Sequence, residues 1–95
     1  MKIRWSRRAL ADLDRIAARI AMDTPADAVE FVLAVSDNVS RLQVLPFLGR
    51  AGAYQDTREL VLHKSYLVTH RVRGMEVQVL QVWHVARIPA RNGSR

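Results

Sequence analysis

The stretch PFLGRAGAYQDTRELVLHKSYLVTHRVRGMEVQVLQVWHVAR, residues 46–87, predicts the sheet of this protein. Three runs within it are rich in β-branched and aromatic residues, as strands are. The runs are Arg58 to His63, Tyr66 to Arg73 and Glu76 to Val85. The links between them are too short for parallel crossovers, and Gly74 in the second link can adopt the positive φ of a hairpin turn. We therefore expect an antiparallel meander.

The residues before this stretch predict a strand followed by a helix. Lys2 to Trp5 alternates basic and apolar side chains, and Ser6 can then cap a helix by accepting from a first-turn amide. An apolar stripe at helical spacing follows, formed by Leu10, Leu13, Ile16, Ala17 and Ile20. The charged side chains between them are expected on the solvent side: Arg8, Asp12, Arg15 and Arg19.

A second helix is predicted from Thr24 to about Leu45, with Thr24 as its cap and Pro25 at its first position. The link between the two helices is so short that they must form an antiparallel hairpin. The predicted class is α+β, with an N-terminal strand and an antiparallel helical hairpin packed on a small twisted antiparallel sheet. We expect one domain over residues 1–88 and a flexible tail over residues 89–95.

Composition excludes several kinds of protein. The chain has 95 residues and no cysteine, which rules out disulfides, thiolate metal sites and cysteine nucleophiles. No apolar run approaches the ~18–20 residues of a membrane span, and no signal-peptide core follows Met1, so a cytoplasmic protein without membrane contact is expected. His63, His70 and His84 lack metal-ligand spacing, so neither a metal nor a cofactor is expected.

Positive charge is concentrated in the second half of the chain. Residues 1–45 carry seven basic and six acidic groups, whereas residues 46–95 carry eight and three. Of the 15 basic residues, 13 are arginine. The planar guanidinium group of arginine suits bidentate contact with phosphate or carboxylate. Codon bias in a GC-rich genome would give the same ratio of arginine to lysine. We expect a basic sheet surface that binds phosphate or an acidic partner. Its predicted members are Arg50, Arg58, Lys64, Arg71, Arg73 and Arg87.

The sequence also indicates the orientation of the middle strand, and it leaves two alternatives open for His84 and for the second helix. Alternation in the middle strand puts Arg71 and Arg73 on one face, which we expect to be the face without helices. His84 is either a general acid or base, or a structural histidine hydrogen-bonded at the strand's edge. The second helix has more apolar surface than one core contact requires, either as additional core or as a dock for another chain. That surface is formed by Val29, Val32 and Leu33.

Five motifs in order along the chain carry a resemblance to a known family. They are Ser6-x-x-Ala9-x-x-Asp12-Leu13-x-x-Ile16, Pro46-x-x-Gly49-Arg50, Thr57-Arg58-Glu59-Leu60-Val61, Tyr66-Leu67-Val68-x-x-Arg71-Val72 and Val79-Leu80-x-Val82-x-His84-x-x-Arg87. Through them the chain resembles the RelE/ParE superfamily of toxins from bacterial type II toxin–antitoxin modules. The resemblance implies the fold predicted above and an unstable antitoxin that wraps the toxin in a hetero-oligomer. In such modules the complex commonly binds its own operator DNA through the antitoxin.

The superfamily has two activities. RelE-like members cleave mRNA on the ribosome without a metal, whereas ParE-like members are associated with inhibition of DNA gyrase. Arg87 falls where RelE-like toxins carry an arginine, and His84 falls near the C-terminal histidine of some ribonuclease relatives. Those enzymes usually place another arginine at the start of the middle strand, where this chain has Tyr66-Leu67. In-line RNA cleavage needs a base, an acid and a group that stabilises the developing negative charge. The histidine and the scattered arginines of this chain supply about two of these three roles.

The resemblance therefore favours a ParE-like toxin of a plasmid-stabilisation type of module, which arrests growth by inhibiting DNA gyrase. A ribosome-dependent mRNA endoribonuclease and a non-toxic binding protein remain the alternatives. For the ribonuclease, the candidate catalytic residues are His84, Arg87 and Arg71. An acidic, amphipathic antitoxin segment is expected to cover the basic sheet edge and part of the apolar helix surface. The candidate antitoxin-binding positions are Leu13, Val32 and Leu33.

Overall fold

The computed structural model of this chain describes residues 1–62 and 66–85. Its elements in chain order are β1 (Lys2–Trp5), α1 (Arg7–Asp23), α2 (Pro25–Ser40), a single 3₁₀ turn (Arg41–Gln43), β2 (Arg50–Ala51), β3 (Arg58–Leu62), β4 (Tyr66–Arg73) and β5 (Glu76–His84). The predicted α+β class is confirmed, with the helical hairpin between the first strand and the meander. The predicted Lys64-Ser65 link and the tail over residues 89–95 lie outside the described residues.

The two helices begin where the sequence predicts, but the second ends earlier. Ser6 Oγ accepts from the backbone N–H of Ala9 at 3.0 Å and so caps α1. Thr24 precedes α2 without a side-chain cap bond. α2 ends at Ser40 rather than near Leu45, and the 3₁₀ turn Arg41–Gln43 follows it directly. Within the described part of the chain, no helix is long and apolar enough to cross a membrane.

Five strands form one sheet in the order β1-β5-β4-β3-β2. β3, β4 and β5 form the predicted antiparallel meander, while β1 lies parallel to β5, with Lys2 opposite Glu76 and Trp5 opposite Val79. The sequence pattern does not predict this parallel edge, which is possible because the two helices lie within the long connection that a parallel strand needs. It does not predict β2 either, since a pair of residues is too short to show alternation.

Both helices pack on one face of the sheet, and the core lies between them and the strands. α1 contacts β5, and α2 contacts α1 and β3. The buried apolar residues of this core are Ala9, Ile16, Phe31, Val35, Val39, Leu42, Leu60, Leu62, Val68, Val77, Val79 and Val82. We call the opposite face the open face. Strand alternation and register place on it Lys2, Arg4, Arg50, Glu59, Val61, Leu67, Thr69, Arg71, Arg73, Glu76, Gln78, Gln81 and Trp83.

Candidate functional site

A β-bulge in β5 determines which of its side chains face the helices. Thr69 is opposite Gln81 whereas His70 is opposite Val79, so Leu80 is an extra residue without a partner in β4. In a regular strand, residues three apart point to opposite faces. The bulge instead lets Val79 and Val82 both enter the core.

Asp12 of α1 binds the edge of β5 beyond this bulge. Its Oδ2 accepts from the backbone N–H of Val82 at 3.0 Å, and its Oδ1 lies 2.8 Å from Arg15 Nη2 and 3.5 Å from Arg8 Nε. The solvent-side position predicted for Asp12 is wrong, since this residue is only 5% exposed. The physical reason is that β1 ends at Trp5, so the buried N–H of Val82 needs an acceptor from another element.

His84 lies on the helix side of the sheet, at the end of β5. It is opposite Tyr66 in the register, and the two rings meet edge-on with 5.0 Å between centroids. Tyr66 also contacts the ring of Phe31 in α2, at 4.7 Å between centroids. A half-buried ring in this aromatic row favours the structural alternative for His84 over the general acid or base.

Arg71, a second candidate catalytic residue, lies on the open face. Its Nε donates to Gln78 Oε1 at 2.9 Å. Arg71 is five residues along β4 from Tyr66, the partner of His84. At a rise of about 3.3 Å per residue the two candidates are about 16 Å apart along the strands, and they also face opposite sides. Arg87, the third candidate, lies outside the described residues.

The predicted basic surface is divided between the two faces of the sheet. Of its six members, the open face carries Arg50, Arg71 and Arg73. Arg50 is opposite Glu59, with Nε 3.4 Å from Oε1. Lys64 and Arg87 lie outside the part of the chain that the structure describes.

Arg58 is the member that faces the other way. It is opposite His70 in the register and so lies on the helix side. Its Nη1 donates to the carbonyl oxygen of Gly49 at 3.2 Å, and its guanidinium lies 5.7 Å from the centre of the Phe47 ring. A cation over an aromatic face is attracted by the ring quadrupole. Arg58 therefore binds the loop before β2.

Two basic residues that the sequence pattern leaves out join the open face. Because β1 lies beside β5, Lys2 is opposite Glu76 and Arg4 is opposite Gln78. Arg4 Nη1 is 3.7 Å from Glu76 Oε1. The alternation within β1 is visible in the sequence, but the identity of its neighbouring strand is not.

His70, in the middle of β4, is fully buried beneath the loop before β2. Its Nε2 lies 2.8 Å from the carbonyl oxygen of Leu48. Because a carbonyl oxygen only accepts, Nε2 carries the proton of the neutral ring and donates it to Leu48. Burial lowers the pKa of His70, and the positive charge of Arg58 lowers it further, against the effect of the Leu48 hydrogen bond. The neutral side chain of His70 thus holds this loop against the sheet through its hydrogen bond to Leu48.

The three candidate antitoxin-binding positions differ in exposure. Leu13 and Val32 are half-buried and pack against the core, so they contribute to the fold. Leu33 is 63% exposed, and Val29, one turn earlier in α2, is 61% exposed. The accessible apolar surface of the hairpin therefore includes the Val29 and Leu33 side of α2. Residues 1–62 and 66–85 contain no group of three or more metal-ligating side chains that could hold an ion.

Solved structures show the same fold. The chain shares 30% identity with a chain from the structure titled chromosomal ParDE TA system from P. aeruginosa, with a TM-score of 0.80 over 90% of this chain and 96% of that one. A second match is the conserved hypothetical protein HP0894 from Helicobacter pylori, with 14% identity and a TM-score of 0.59 over 90% and 96% of the two chains. At that identity the second match supports the fold alone.

Sequence comparison agrees with the structural match. Residues 3–89 match the family described as the ParE toxin of the type II toxin-antitoxin system parDE. Y4kP of Sinorhizobium fredii, a protein whose name assigns it as a toxin, is 39% identical over 84 residues, which cover 87% of this chain and 86% of that protein. The chain belongs to the ParE toxin family of type II toxin–antitoxin systems.

Proposed function

We propose that this ParE-type toxin arrests growth by inhibiting DNA gyrase rather than by cleaving mRNA. The observation that supports this most is the separation of the two candidate catalytic residues that lie in the described part of the chain. His84 packs against Tyr66 on the helix side, whereas Arg71 lies about 16 Å away on the open face.

RNA cleavage requires a base and a charge-stabilising group that act on the same phosphate. A base must come within about 2.6–3.2 Å of the proton that it removes, and a donor must reach the developing negative charge at a similar distance. A phosphate at the imidazole of His84 is therefore beyond the reach of Arg71. Inhibition of a macromolecule by binding needs no such convergence, so the observed arrangement is adequate for it.

We further propose that a cognate antitoxin binds and neutralises this protein in the cytoplasm, and that the complex contacts operator DNA through the antitoxin. The net charge of +6 suits an acidic partner, and the exposed Val29 and Leu33 suit an apolar one. The related chain of the P. aeruginosa structure belongs to a ParDE system, which supports the same arrangement for this chain.

The proposal is tested by inducing the protein in bacterial cells that lack its antitoxin. Inhibition of gyrase predicts growth arrest with an SOS response, accumulated DNA breaks and intact mRNA. Arrest with mRNA cut at codon boundaries and no DNA breaks would instead identify the ribonuclease. Normal growth at a confirmed level of folded protein would support a non-toxic binding protein.

A matched pair of variants tests the role of the His84 imidazole directly. His84→Phe keeps an aromatic ring against Tyr66 and removes the imidazole, whereas His84→Ala removes both. We expect His84→Phe to remain toxic, because no proton transfer by His84 is needed. A loss of toxicity in His84→Phe, with the fold intact by circular dichroism, would contradict a purely structural role.

A further inference from the structure

The edge of the sheet that β1 forms is continued by α1. β1 pairs with only the first half of β5, and α1 packs along β5 beyond it. Ser6 Oγ donates to the carbonyl oxygen of Leu80 at 3.1 Å, and Asp12 Oδ2 accepts from the N–H of Val82. The contacts of α1 thus advance along β5 as the helix itself advances. β1 and α1 therefore form one continuous edge of the molecule.

Five exposed cations lie along this edge, which we call the basic edge. It consists of Lys2, Arg4, Arg8, Arg15 and Arg19. The first two are alternate residues of β1. The other three share one stripe of α1 with Asp12, because residues three or four apart in a helix lie on the same side. Since Asp12 reaches the edge of β5, the stripe borders that edge.

The basic edge is about 30 Å long. From Glu76, which is beside the start of β1, to Val82 is six residues of β5, or about 20 Å. From Asp12, which binds Val82, to Arg19 is seven residues of α1, or about 10 Å. Asp23, the last residue of α1, marks the end of the line. Duplex DNA carries one negative charge per about 1.7 Å of its axis, so it presents about 18 phosphates over this length.

The carboxylates of the basic edge lie beneath its arginines. The side chains of Arg4, Arg8 and Arg15 are 71%, 63% and 57% exposed. The carboxylates that pair with them, Glu76 and Asp12, are 23% and 6% exposed. Each carboxylate thus orients a guanidinium group from the side of the protein. An oriented arginine loses less side-chain entropy on binding than a free one, so these cations are prepared to meet an anion.

The basic edge lacks the apolar centre of a protein–protein interface. The core of such an interface is apolar and depleted in charge. Residues 1–23 have three exposed large apolar side chains, Met1, Leu10 and Met22. Met1 and Met22 lie at the two ends of the edge. Leu10 lies on another side of α1, because it is about 200° around the helix from Arg8. The edge is therefore a line of charge, which suits a polyanion better than a folded protein.

The basic edge also lacks the aromatic platforms on which single-stranded nucleic acids stack their bases. Trp5, the aromatic residue of β1, packs against the core. Residues 6–23 contain no aromatic side chain. A duplex needs no such platform, because it displays its phosphates while its bases remain stacked.

We propose that the basic edge binds the phosphate backbone of duplex DNA, independently of base sequence. The inference goes beyond the proposed function, which concerns the binding of gyrase, and does not depend on it. Contacts from arginine and lysine to phosphate supply affinity and position without reading sequence. Such binding places the toxin on the same molecule that gyrase acts on.

The test measures binding of the purified full chain to a short labelled DNA duplex by fluorescence anisotropy, over a series of salt concentrations. Each phosphate contact contributes about −0.9 to the slope of log binding constant against log salt concentration. If all five cations contact phosphates, we expect a slope of about −4.5. Duplexes of unrelated sequence should give the same curve.

Variants locate the binding on the basic edge. Arg4→Gln and Arg15→Gln are each expected to weaken binding about fivefold and to reduce the magnitude of the slope by about 0.9. Arg50→Gln is the matched control, because it removes one positive charge from β2 at the opposite edge of the sheet. It is expected to leave the slope unchanged. An unchanged unfolding midpoint shows that each variant remains folded.

Competitors separate duplex DNA from other polyanions. Polyglutamate and single-stranded RNA of equal net charge are each expected to displace the labelled duplex less well than unlabelled duplex does. Equal or better displacement by either competitor would overturn the inference. So would an absence of DNA binding, or an equal loss of slope in Arg15→Gln and Arg50→Gln. None of these results decides whether the protein inhibits gyrase, which growth arrest with DNA breaks tests separately.

Discussion

The two faces of the sheet use polar side chains in different ways, and β4 shows the difference between neighbouring residues. His70 is buried on the helix side as a neutral ring that donates to the carbonyl of Leu48. Arg71, the next residue, lies on the open face as a cation oriented by Gln78. The strand alternates its residues between an interior, where a polar group is costly unless it is hydrogen-bonded, and a surface that allows charge to accumulate.

This difference separates the residues that hold the fold from those that can bind a partner. On the helix side, Asp12 and His70 each bind a backbone group of another element. On the open face, Arg4 pairs with Glu76 and Arg71 donates to Gln78, both of them side chains of the neighbouring strand β5. Substitutions on the helix side should therefore lower the free energy of unfolding, and those on the open face should alter binding.

The largest effect is expected for Asp12→Ala. The change leaves the buried N–H of Val82 without its acceptor, which should lower the free energy of unfolding by about 2–3 kcal/mol. Urea denaturation measures this difference. Asp14→Ala removes the same charge from an exposed position of α1 and should cost less than about 0.5 kcal/mol. Equal losses in the two variants would mean that Asp12 does not support the edge of β5.

A smaller effect separates two of the candidate antitoxin-binding positions. Leu13→Ala removes a half-buried side chain from the core and should lower the free energy of unfolding by about 1–2 kcal/mol. Leu33→Ala removes an exposed side chain and should change it by less than about 0.5 kcal/mol. Comparison of the two thermal midpoints checks this expectation. If Leu33→Ala proved as destabilising as Leu13→Ala, the exposed side of α2 would be part of the core.

The smallest effect concerns the dependence of stability on pH through His70. Burial lowers the pKa of the folded-state imidazole below the ordinary value of 6.5, so below that pH the unfolded chain binds more protons than the folded one. The free energy of unfolding should therefore be greatest above about pH 6.5 and decrease as the pH falls below it. The contribution of one such group is at most about 1.4 kcal/mol by about pH 5.5.

His70→Gln provides the control for this pH dependence, because glutamine can donate to Leu48 and has no proton to gain. The free energies of unfolding of the two proteins, measured by urea denaturation across this pH range, should converge as the pH falls. Parallel curves would show that His70 titrates alike in the folded and unfolded chains.

Local sequence patterns predicted most of the elements of this fold. The cap at Ser6, the first position at Pro25 and the strands of the meander follow from local chemistry, and the structure has them close to their predicted bounds. β2 and the early end of α2 were less visible, because a two-residue strand and a single 3₁₀ turn depend on contacts distant in the chain.

The candidate site was less predictable than the fold. Alternation correctly placed Arg71 and Arg73 on the face without helices, but it did not show that Arg58 lies on the other face against Phe47. The sequence did not show that Lys2 and Arg4 of β1 belong to the basic open face, because their place there depends on the pairing of β1 with β5. The number of cations in a segment can be read from its composition. Which of them are neighbours on a sheet depends on the strand register.

By itself the sequence determined the class of the fold, the family through its ordered motifs, and the concentration of positive charge in the second half of the chain. These properties depend on residues close together in the chain or on their order along it. Tertiary structure alone decided that β1 joins β5 in parallel, that Asp12 is buried against Val82, and that His84 and Arg71 face opposite sides of the sheet. Each of these follows from pairings between distant segments, where unsatisfied backbone groups and packed side chains select one arrangement.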